Sequence, residues 1–286
     1  MHPKFIKFHG FGNDYIVIES AELAEISEES GDFARRICNR HYGAGADGIA
    51  VVSPSESADF HVRIFNPDGS EASLSGNGTR CASAYLHYKK LWAAKELRLS
   101  TRAGVKLYTL REDDGHGRYL FDSELGQPKF DAASIPMITT EPLDKIVDYQ
   151  LEFDGGSVKV TALQMGNPNC CIFVNDFDSL DWRQIGRRIE KHEQFPDRTN
   201  VVFVRVEDRS TIELRIWERG VGETEASGTC SCAAAVAAMV KGETERLVNV
   251  LMPGGTAKIH WRPDDEVVIT GTAEVIYAGE WLTTAS

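Results

Sequence analysis

Two serine-glycine pairs, placed alike in a repeated pattern, are the residues of this sequence best suited to chemistry. Ser75-Gly76 precedes an apolar run, and Ser227-Gly228, 152 residues further on, precedes a second one. The first turn of a helix carries unpaired backbone N–H groups and a partial positive charge, so each pair is typical of a site for a carboxylate or another anion. A base at such a position also has its anionic form stabilised.

Each serine also has a plainer interpretation, as the N-cap of a helix. The repeat favours a site, because Asn66 and Glu218 occupy matching positions in the two copies. Two such loops are expected to face one another across a cleft between two domains. That geometry suits an enzyme that attacks one carbon from two opposite sides.

The segments around both pairs indicate one domain written twice. Arg63-Ile64-Phe65 corresponds to Arg215-Ile216-Trp217 without a gap. A spacing of 152 residues is far longer than the repeat of a solenoid, which is about 20 to 50 residues, so we expect two domains. The predicted domains are 1–126 joined by 273–286, and 127–272, with the proline-containing stretch 127–142 as the passage between them.

The apolar pattern predicts mostly strands, with a few helices. Helices are predicted over 26–40, with Ser27 and Ser30 as candidate caps, over 80–88, near 179–191 and over 227–240. The second and fourth of these are apolar over most of their surface, so we expect them to be buried. Strands are predicted around a Gly-Asn turn in 5–19, and over 49–52, 60–65, 96–101, 105–111, 117–122, 159–163, 200–206, 212–217 and 266–282.

Composition excludes several classes of protein. The 286 residues are 42% hydrophobic and 26% charged, as in a globular protein. A net charge of -12 argues against nucleic acid as a partner. No run of 18 apolar residues predicts a membrane span, and the N-terminus lacks the pattern of a signal peptide, so we expect a cytoplasmic protein.

The cysteines do not predict a disulfide framework or a metal site. Without a secretion signal we expect all six to stay reduced. Cys230-Ser231-Cys232 lacks the two-residue spacer and the second pair of a zinc site. The glycine-rich segment 43–48 leads into a predicted strand where a phosphate-binding loop should lead into a helix, which disfavours a nucleotide site.

Four further motifs are specific enough to compare with a known family. They are Asn66-Pro67-Asp68-Gly69-Ser70-Glu71, Gly76-Asn77-Gly78-Thr79-Arg80-Cys81, Gly166-Asn167-Pro168 and Glu218-Arg219-Gly220-Val221-Gly222-Glu223-Thr224. In these motifs the sequence resembles the diaminopimelate epimerases, and the resemblance covers nearly the full length, from Phe8 to Ala273. It implies an α/β fold of the α+β type, with two pseudo-symmetric domains, each a barrel-like mixed sheet around a central buried helix. It also implies an isomerase that needs neither pyridoxal phosphate nor metal, acts on a small-molecule amino acid and serves lysine biosynthesis; a homodimer is the expected assembly.

The resemblance assigns binding roles residue by residue. The backbone amides of Gly76-Asn77 and Gly228-Thr229 would hold the reacting α-carboxylate. The distal amino acid end of the substrate would be held by Asn13, Asn66, Asn167, Asn200, Glu218 and Arg219.

The sequence departs from the family at the two catalytic positions. Ser75 and Ser227 stand where the family has the cysteines that act as thiolate base and thiol acid, Asn169 stands in place of a histidine, and Cys230 usually in place of a glycine. A thiol titrates near 8.5 and is shifted towards neutrality at a helix N-terminus. An alcohol starts several units higher and fails as a general base at neutral pH without a helper, for which His9 is the nearest candidate in the sequence.

Three explanations of the serines stay open. Both were engineered from cysteine; or the chain is a natural paralogue, with a more acidic substrate C–H bond or with Cys81, Cys230 or Cys232 acting from a shifted position; or it binds an amino acid without turning it over. The changes at Asn169 and Cys230 favour a natural paralogue. An isomerase of the phenazine-biosynthesis type is a further alternative, although Asn66 and Glu218-Arg219 favour a diamino acid ligand.

Overall fold

The computed structural model describes residues 2–25 and 29–282. The chain separates into two compact units: unit 1 contains the described residues up to Ser123 and those from Gly271 onwards, and unit 2 contains Glu124–Thr270. The domain boundaries expected from the sequence, after residues 126 and 272, stay a prediction. No helix in the described part of the chain is long and apolar enough to cross a membrane.

Unit 1 is a barrel-like sheet around one helix. Its elements are β1 (Lys4–Gly10), β2 (Asn13–Glu19), α1 (Ser20–Ala24), α2 (Ser30–Ile37), β3 (Gly48–Pro54), β4 (Phe60–Phe65), β5 (Glu71–Ala72), α3 (Gly76–Tyr88), β6 (Glu96–Thr101), β7 (Gly104–Asp113) and β8 (Arg118–Gly126). The strands pair in the order β1, β2, β3, β4, β6, β7, β8. A later strand, β17 (Val267–Glu280), pairs with both β8 and β1 and so closes the ring.

Unit 2 repeats this order of pairings. Its elements are β9 (Ile146–Phe153), β10 (Gly156–Gln164), β11 (Pro168–Phe173), a short 3₁₀ helix (Phe177–Ser179), α4 (Trp182–Ile189), β12 (Asn200–Asp208), β13 (Thr211–Glu218), β14 (Gly222–Thr224), α5 (Gly228–Val240), β15 (Leu247–Met252), β16 (Gly255–Trp261) and the first residues of β17. From β10 to β17 the neighbours are antiparallel, parallel, antiparallel, parallel, antiparallel and antiparallel, as from β1 to β8.

The two central helices are buried over most of their length. Helix α3 places Cys81, Ala82 and Leu86 in the core of unit 1, against the strands β1 to β4. Helix α5 is buried from Cys230 to Ala238, and its alanines are both strong helix formers and small enough to sit inside a sheet. The predicted mixed fold with a buried central helix in each half is confirmed.

Several sequence-based boundaries need correction. Helix α2 is shorter than predicted: Glu29 occupies its N-cap position, Ser30 is its first residue, and Ser27 lies outside the described residues. The segment predicted as several strands over 266–282 is one long strand, β17. Strands β9, β11, β15 and β16 were not predicted; β11 begins at Pro168, and a proline is tolerated as the first residue of a strand.

Candidate active site

In unit 1, Ser75 caps helix α3. Its backbone is extended, with φ -132° and ψ 119°, and its Oγ accepts a hydrogen bond from the N–H of Gly78 at 3.1 Å. The N-cap interpretation of this serine is confirmed. The amides of Gly76 and Asn77 belong to the first turn, where helix geometry supplies no intrahelical acceptor. A Cβ added to Gly76 would meet no atom within 4 Å, so space is open beside these amides.

Ser75 also contacts a residue that the sequence analysis did not select. The hydroxyl of Tyr15, on β2, donates to Ser75 Oγ at 2.9 Å. The ring of Tyr15 is held between Gly48 and Gly78, where an added Cβ would lie 2.7 and 2.9 Å from its Cε1 atom. A serine oxygen has two acceptor positions, and Tyr15 and Gly78 occupy both. The proton of Ser75 is therefore left for donation to another group.

A chain of hydrogen bonds between side chains holds the first turn of α3 in place. Asn77 Nδ2 donates to Asn13 Oδ1 at 3.1 Å, and Asn13 Nδ2 donates to Asp47 Oδ2 at 2.7 Å. Arg80 donates to Asn77 Oδ1 and, through Nε, to the carbonyl of Thr272 at 2.9 Å. The predicted substrate-binding residue Asn13 is thus bonded at both ends of its amide to the protein, and it positions Asn77.

Arg80 places a positive charge inside unit 1. It is 1% exposed, and its guanidinium lies 5.0 Å from the centre of the Phe11 ring. A side chain at Gly271 would collide with both, because an added Cβ would come within 2.8 Å of Phe11 and 3.0 Å of Arg80. The charge adds to that of the helix N-terminus and favours an anion near the first turn.

A cluster of charged side chains around Asp14 lies at the Asp47 end of this hydrogen-bond chain. Asp14 accepts hydrogen bonds from Arg40 and pairs with Lys7 at 2.7 Å, and its Oδ1 accepts the N–H of Asp47 at 2.9 Å. Burial alone would raise the pKa of Asp14, but the hydrogen bonds from Arg40 and Lys7 outweigh it and lower the pKa to about 2. The cluster fixes Asp47, which in turn holds Asn13.

Asn66 lies in the tight turn that follows β4. Its Nδ2 donates to Ser70 Oγ at 3.0 Å, and its carbonyl accepts the N–H of Gly69, whose φ is 80°. Only glycine adopts that φ without strain. The half-buried Asn66 amide therefore shapes its own turn.

In unit 2, Ser227 begins α5 differently. Its backbone is again extended, with φ -147° and ψ 125°, but within the described structure its side chain makes no capping hydrogen bond to the helix. The side-chain part of the N-cap interpretation is therefore wrong for Ser227. Its hydroxyl instead lies near the carboxyl group of Glu218 and the thiol of Cys230, where it opposes the rise in the pKa of both groups. Ser227 is 7% exposed.

Burial dominates the electrostatics around Ser227. The carboxyl group of Glu218 loses water on burial, which raises its pKa although Thr224 Oγ1 donates to it at 2.8 Å. Burial and the nearby Glu218 also raise the pKa of Cys230 well above its usual value. Of the cysteines suggested from the sequence to act from a shifted position, all three are fully buried. Cys230 lies beside Ser227, and Cys81 has its pKa raised to about 12 by burial.

Three of the predicted binding residues of unit 2 are joined through Asn169. Asn169 Nδ2 donates to Asn167 Oδ1 at 3.0 Å, Asn200 Nδ2 donates to Asn169 Oδ1 at 3.2 Å, and the N–H of Arg219 donates to Asn200 Oδ1 at 2.9 Å. The guanidinium of the exposed Arg219 donates to the carbonyl of Asp197 at 3.0 Å. The structure thus gives Asn169, known from the sequence only as a departure, a linking role.

Each of the two serines has its own set of neighbours within its unit. We call Ser75, the first turn of α3, Tyr15 and Arg80 half-site 1, and Ser227, the first turn of α5, Glu218 and Cys230 half-site 2. The first turn of α5 includes the predicted Gly228 and Thr229, and the turn at Gly166 approaches it, since an added Cβ there would lie 3.9 Å from Thr229 Cγ2.

The helper suggested from the sequence lies elsewhere. His9 Nδ1 accepts the N–H of Gly12 at 3.3 Å, and its Nε2 lies 3.9 Å from Glu274. Its contacts are therefore with the turn after β1 and with β17 rather than with Ser75. Across residues 2–25 and 29–282, no cluster of three or more His, Cys, Asp or Glu side chains could hold a metal ion.

Comparison with known proteins identifies the family. The diaminopimelate epimerase family model matches residues 5–130 and 161–276. A diaminopimelate epimerase of Pelotomaculum thermopropionicum is 41% identical over 277 residues, covering 97% of this chain and 98% of that protein. One from Desulforudis audaxviator is 40% identical over 282 residues, covering 98% and 99%.

Solved structures support the fold at low sequence identity. A phenazine biosynthesis protein of Bacillus anthracis superposes with a TM-score of 0.66 at 17% identity, covering 99% of this chain and 100% of its own. A hydroxyproline epimerase of Agrobacterium vitis gives 0.64 at 14% identity, covering 98% and 92%. The family model and the two near-full-length relatives decide the assignment: the chain belongs to the diaminopimelate epimerase family.

Proposed function

We propose that this protein is a cofactor-independent isomerase that inverts the α-carbon of an amino acid by two-base proton transfer. Its substrate class is diaminopimelate, whose LL and meso forms it interconverts for lysine and cell-wall precursor biosynthesis. The observation that carries the proposal is the same in both units: an extended serine stands directly before the first turn of a buried helix, at Ser75 and at Ser227.

The first turns would bind the reacting carboxylate. We assign this role to the amides of Gly76 and Asn77 in half-site 1 and of Gly228 and Thr229 in half-site 2. As the Cα–H bond breaks, negative charge moves from the α-carbon onto the carboxylate oxygens. Helix N-termini aimed at those oxygens stabilise the transition state more than the ground state, and the buried Arg80 adds to this in unit 1.

The distal end of a diamino acid carries both a carboxylate and an ammonium group. We propose that Arg219 recognises the carboxylate and Glu218 the ammonium, with Asn66, Asn167 and Asn200 supplying amide contacts. Asn13 acts through Asn77, to which it is bonded at 3.1 Å. A ligand with only one of the two charged groups would leave the other protein charge without a partner, so the pair selects for diamino acids.

Four further properties belong to this proposal. Ser75 and Ser227 hold the positions of the two proton-transferring groups. The matching order of strand pairings supports an internal duplication. We place the protein in the cytoplasm, and we expect a homodimer.

A second candidate is a protein that binds a diamino acid without inverting it. It has one basis, the Ser227 hydroxyl near the desolvated carboxyl group of Glu218, because neither group is a strong base at neutral pH. The relatives of the chain, which are epimerases, support the isomerase instead. The two candidates predict the same binding and different chemistry.

Exchange of the substrate α-hydrogen in deuterated water tests the proposal. We expect diaminopimelate to incorporate deuterium without an added cofactor, and the Ser75→Ala, Ser227→Ala double variant to bind it without exchange. In Ser75→Cys with Ser227→Cys, exchange should rise about 10²-fold or more, because a thiol has a pKa nearer the working pH. Tight binding with no exchange in the parent and in the double cysteine variant contradicts the isomerase and favours the binding protein.

A further inference from the structure

Tyr15 is held in contact with Ser75, and the chemistry described so far gives it no role. Its phenolic oxygen lies 2.9 Å from Ser75 Oγ, and its side chain is 6% exposed. Gly48 and Gly78 enclose the ring, since a Cβ on either would come within 3 Å of it. The ring therefore cannot turn away from Ser75 without moving β3 or α3.

The two hydroxyls in contact differ greatly in acidity. A tyrosine phenol titrates near pH 10, whereas the aliphatic hydroxyl of serine titrates several units higher. A buried hydrogen bond between them lets a proton pass with little movement of heavy atoms. Tyr15 is thus the member of the pair that can carry negative charge at the lower free energy, and Ser75 is the half-exposed member that can reach a ligand.

We propose that Tyr15 is the proton-relay partner of Ser75, an inference that rests on the proposed function. In the acid direction, the O–H bond of Ser75 breaks as a new Cα–H bond forms, and the Tyr15 phenol returns a proton to Ser75 Oγ. The phenol O–H bond breaks, Ser75 stays neutral, and the negative charge passes from the substrate to a Tyr15 phenolate. In the base direction every step reverses, and the electron pair stays on the substrate.

The hydrogen bonds of Ser75 correspond to the start of the acid direction. Tyr15 and the Gly78 amide both donate to Ser75 Oγ, so the proton of Ser75 points to neither. Because Tyr15 acts through Ser75, it is a positioning residue in this reaction. The Gly78 amide gives the serine oxygen a second donor while the proton is in transit.

Unit 2 offers no copy of this relay. The position that matches Tyr15 is Asn169, because β2 pairs Tyr15 with Gly48 as β11 pairs Asn169 with Asn200. Asn169 bonds to Asn167 and Asn200. The relay is thus specific to half-site 1. There it supplies the helper group that a serine needs to act as a general base.

A double-mutant cycle tests the relay. In the parent, Tyr15→Phe should lower the rate of α-hydrogen exchange about 10² to 10⁴-fold, the usual contribution of an acid-base group. In the Ser75→Cys background the same change should alter the rate less than about threefold, because a thiolate needs no relay. The matched control is Tyr108→Phe, which removes another buried phenol bonded to α3, at Thr79 Oγ1. Tyr108→Phe should change the rate of α-hydrogen exchange less than about threefold, both in the parent and in the Ser75→Cys background.

The outcomes separate this inference from the proposed function. Urea unfolding first establishes that the variants are folded. An equal loss on Tyr15→Phe in both backgrounds would mean a structural role and overturn the relay, as would no loss in the parent. An inert parent beside an active Ser75→Cys variant overturns the relay alone. Inert parent and inert cysteine variants overturn the relay together with the proposed function.

Discussion

Half-site 1 and half-site 2 share a backbone plan and differ in charge. In half-site 1 the serine oxygen receives two hydrogen bonds and a buried arginine lies below the helix start. In half-site 2 the serine hydroxyl faces a buried carboxyl group. One environment stabilises an anionic oxygen, and the other opposes it. A repeated fold thus places a serine before a buried helix in both units without making the two serines equivalent.

The difference comes from a few matching positions. Gly48 and Gly78 make room for the Tyr15 ring in unit 1. In unit 2 the matching positions hold Asn200 and Cys230, and a small amide, Asn169, replaces the ring. Likewise Asn66, Arg80 and Ser75 match Glu218, Cys232 and Ser227, each 152 residues apart. Unit 1 has a large ring beside two glycines, and unit 2 has a small amide beside two larger residues. Similar space is therefore filled by different chemical groups.

The largest effect on stability is expected when half-site 1 is made to resemble half-site 2 at one position. Gly78→Cys places a Cβ 2.9 Å from the Tyr15 ring and 3.0 Å from Ile64 Cδ1, both in a packed core. We expect a loss of about 2 to 3 kcal/mol in the free energy of unfolding, typical of overpacking. α-Hydrogen exchange should also fall at least about tenfold, because the phenol is displaced from Ser75.

The control for that change is Cys230→Ala in half-site 2. It leaves a small cavity and should cost about 1 kcal/mol. Urea unfolding measures both variants. Equal destabilisation by the two changes would show that the ring is not clamped by Gly78 and would remove the packing basis of the comparison.

A smaller effect separates the two units by pH. Asp14 has a folded-state pKa of about 2, below its unfolded value of about 3.9, so its contribution is present above pH 4 and is lost as the pH falls through 2. Relative to Asp14→Asn, the parent should gain roughly 2 to 3 kcal/mol between those limits. Glu218 has a raised pKa, so the parent should lose stability relative to Glu218→Gln as the pH rises above about 4.3.

Urea unfolding of the parent and the two variants over a series of pH values measures both slopes. The two difference curves should run in opposite directions. Curves that rise together with pH would mean that Glu218 is not held in a desolvated site, and half-site 2 would then lose its distinguishing feature.

The internal repeat made part of the site predictable from the sequence. The contacts that depend on how strands and helices pack in three dimensions could not be predicted in this way. The serines, the helix starts and the strand pattern could be inferred because residues near each other in sequence determine them. The contact of Tyr15 with Ser75 depends on the pairing of β2 with β3 and on a helix sixty positions later, and a tyrosine in an apolar strand carries no local sign of it. The sequence likewise gives no sign that the amide of Asn13, predicted to bind substrate, is also bonded to Asn77 and Asp47.

The difference between the serines escaped the sequence for a related reason. Ser75 and Ser227 each precede a glycine and an apolar run, so the sequence offers the same two interpretations for both. Only the side chains that approach from neighbouring strands decide that one caps its helix and the other does not. The charge of a site is therefore harder to predict than its position.

The most direct test of the unlike half-sites is the pKa of a thiol placed in each. Ser75→Cys and Ser227→Cys are titrated by the ultraviolet absorbance of the thiolate, each as a difference from the parent. We expect the first thiol to ionise below its ordinary pKa of about 8.5, since two donors and a helix start surround it, and the second above it, beside a buried carboxyl group. Equal values, or the reverse order, would contradict the account.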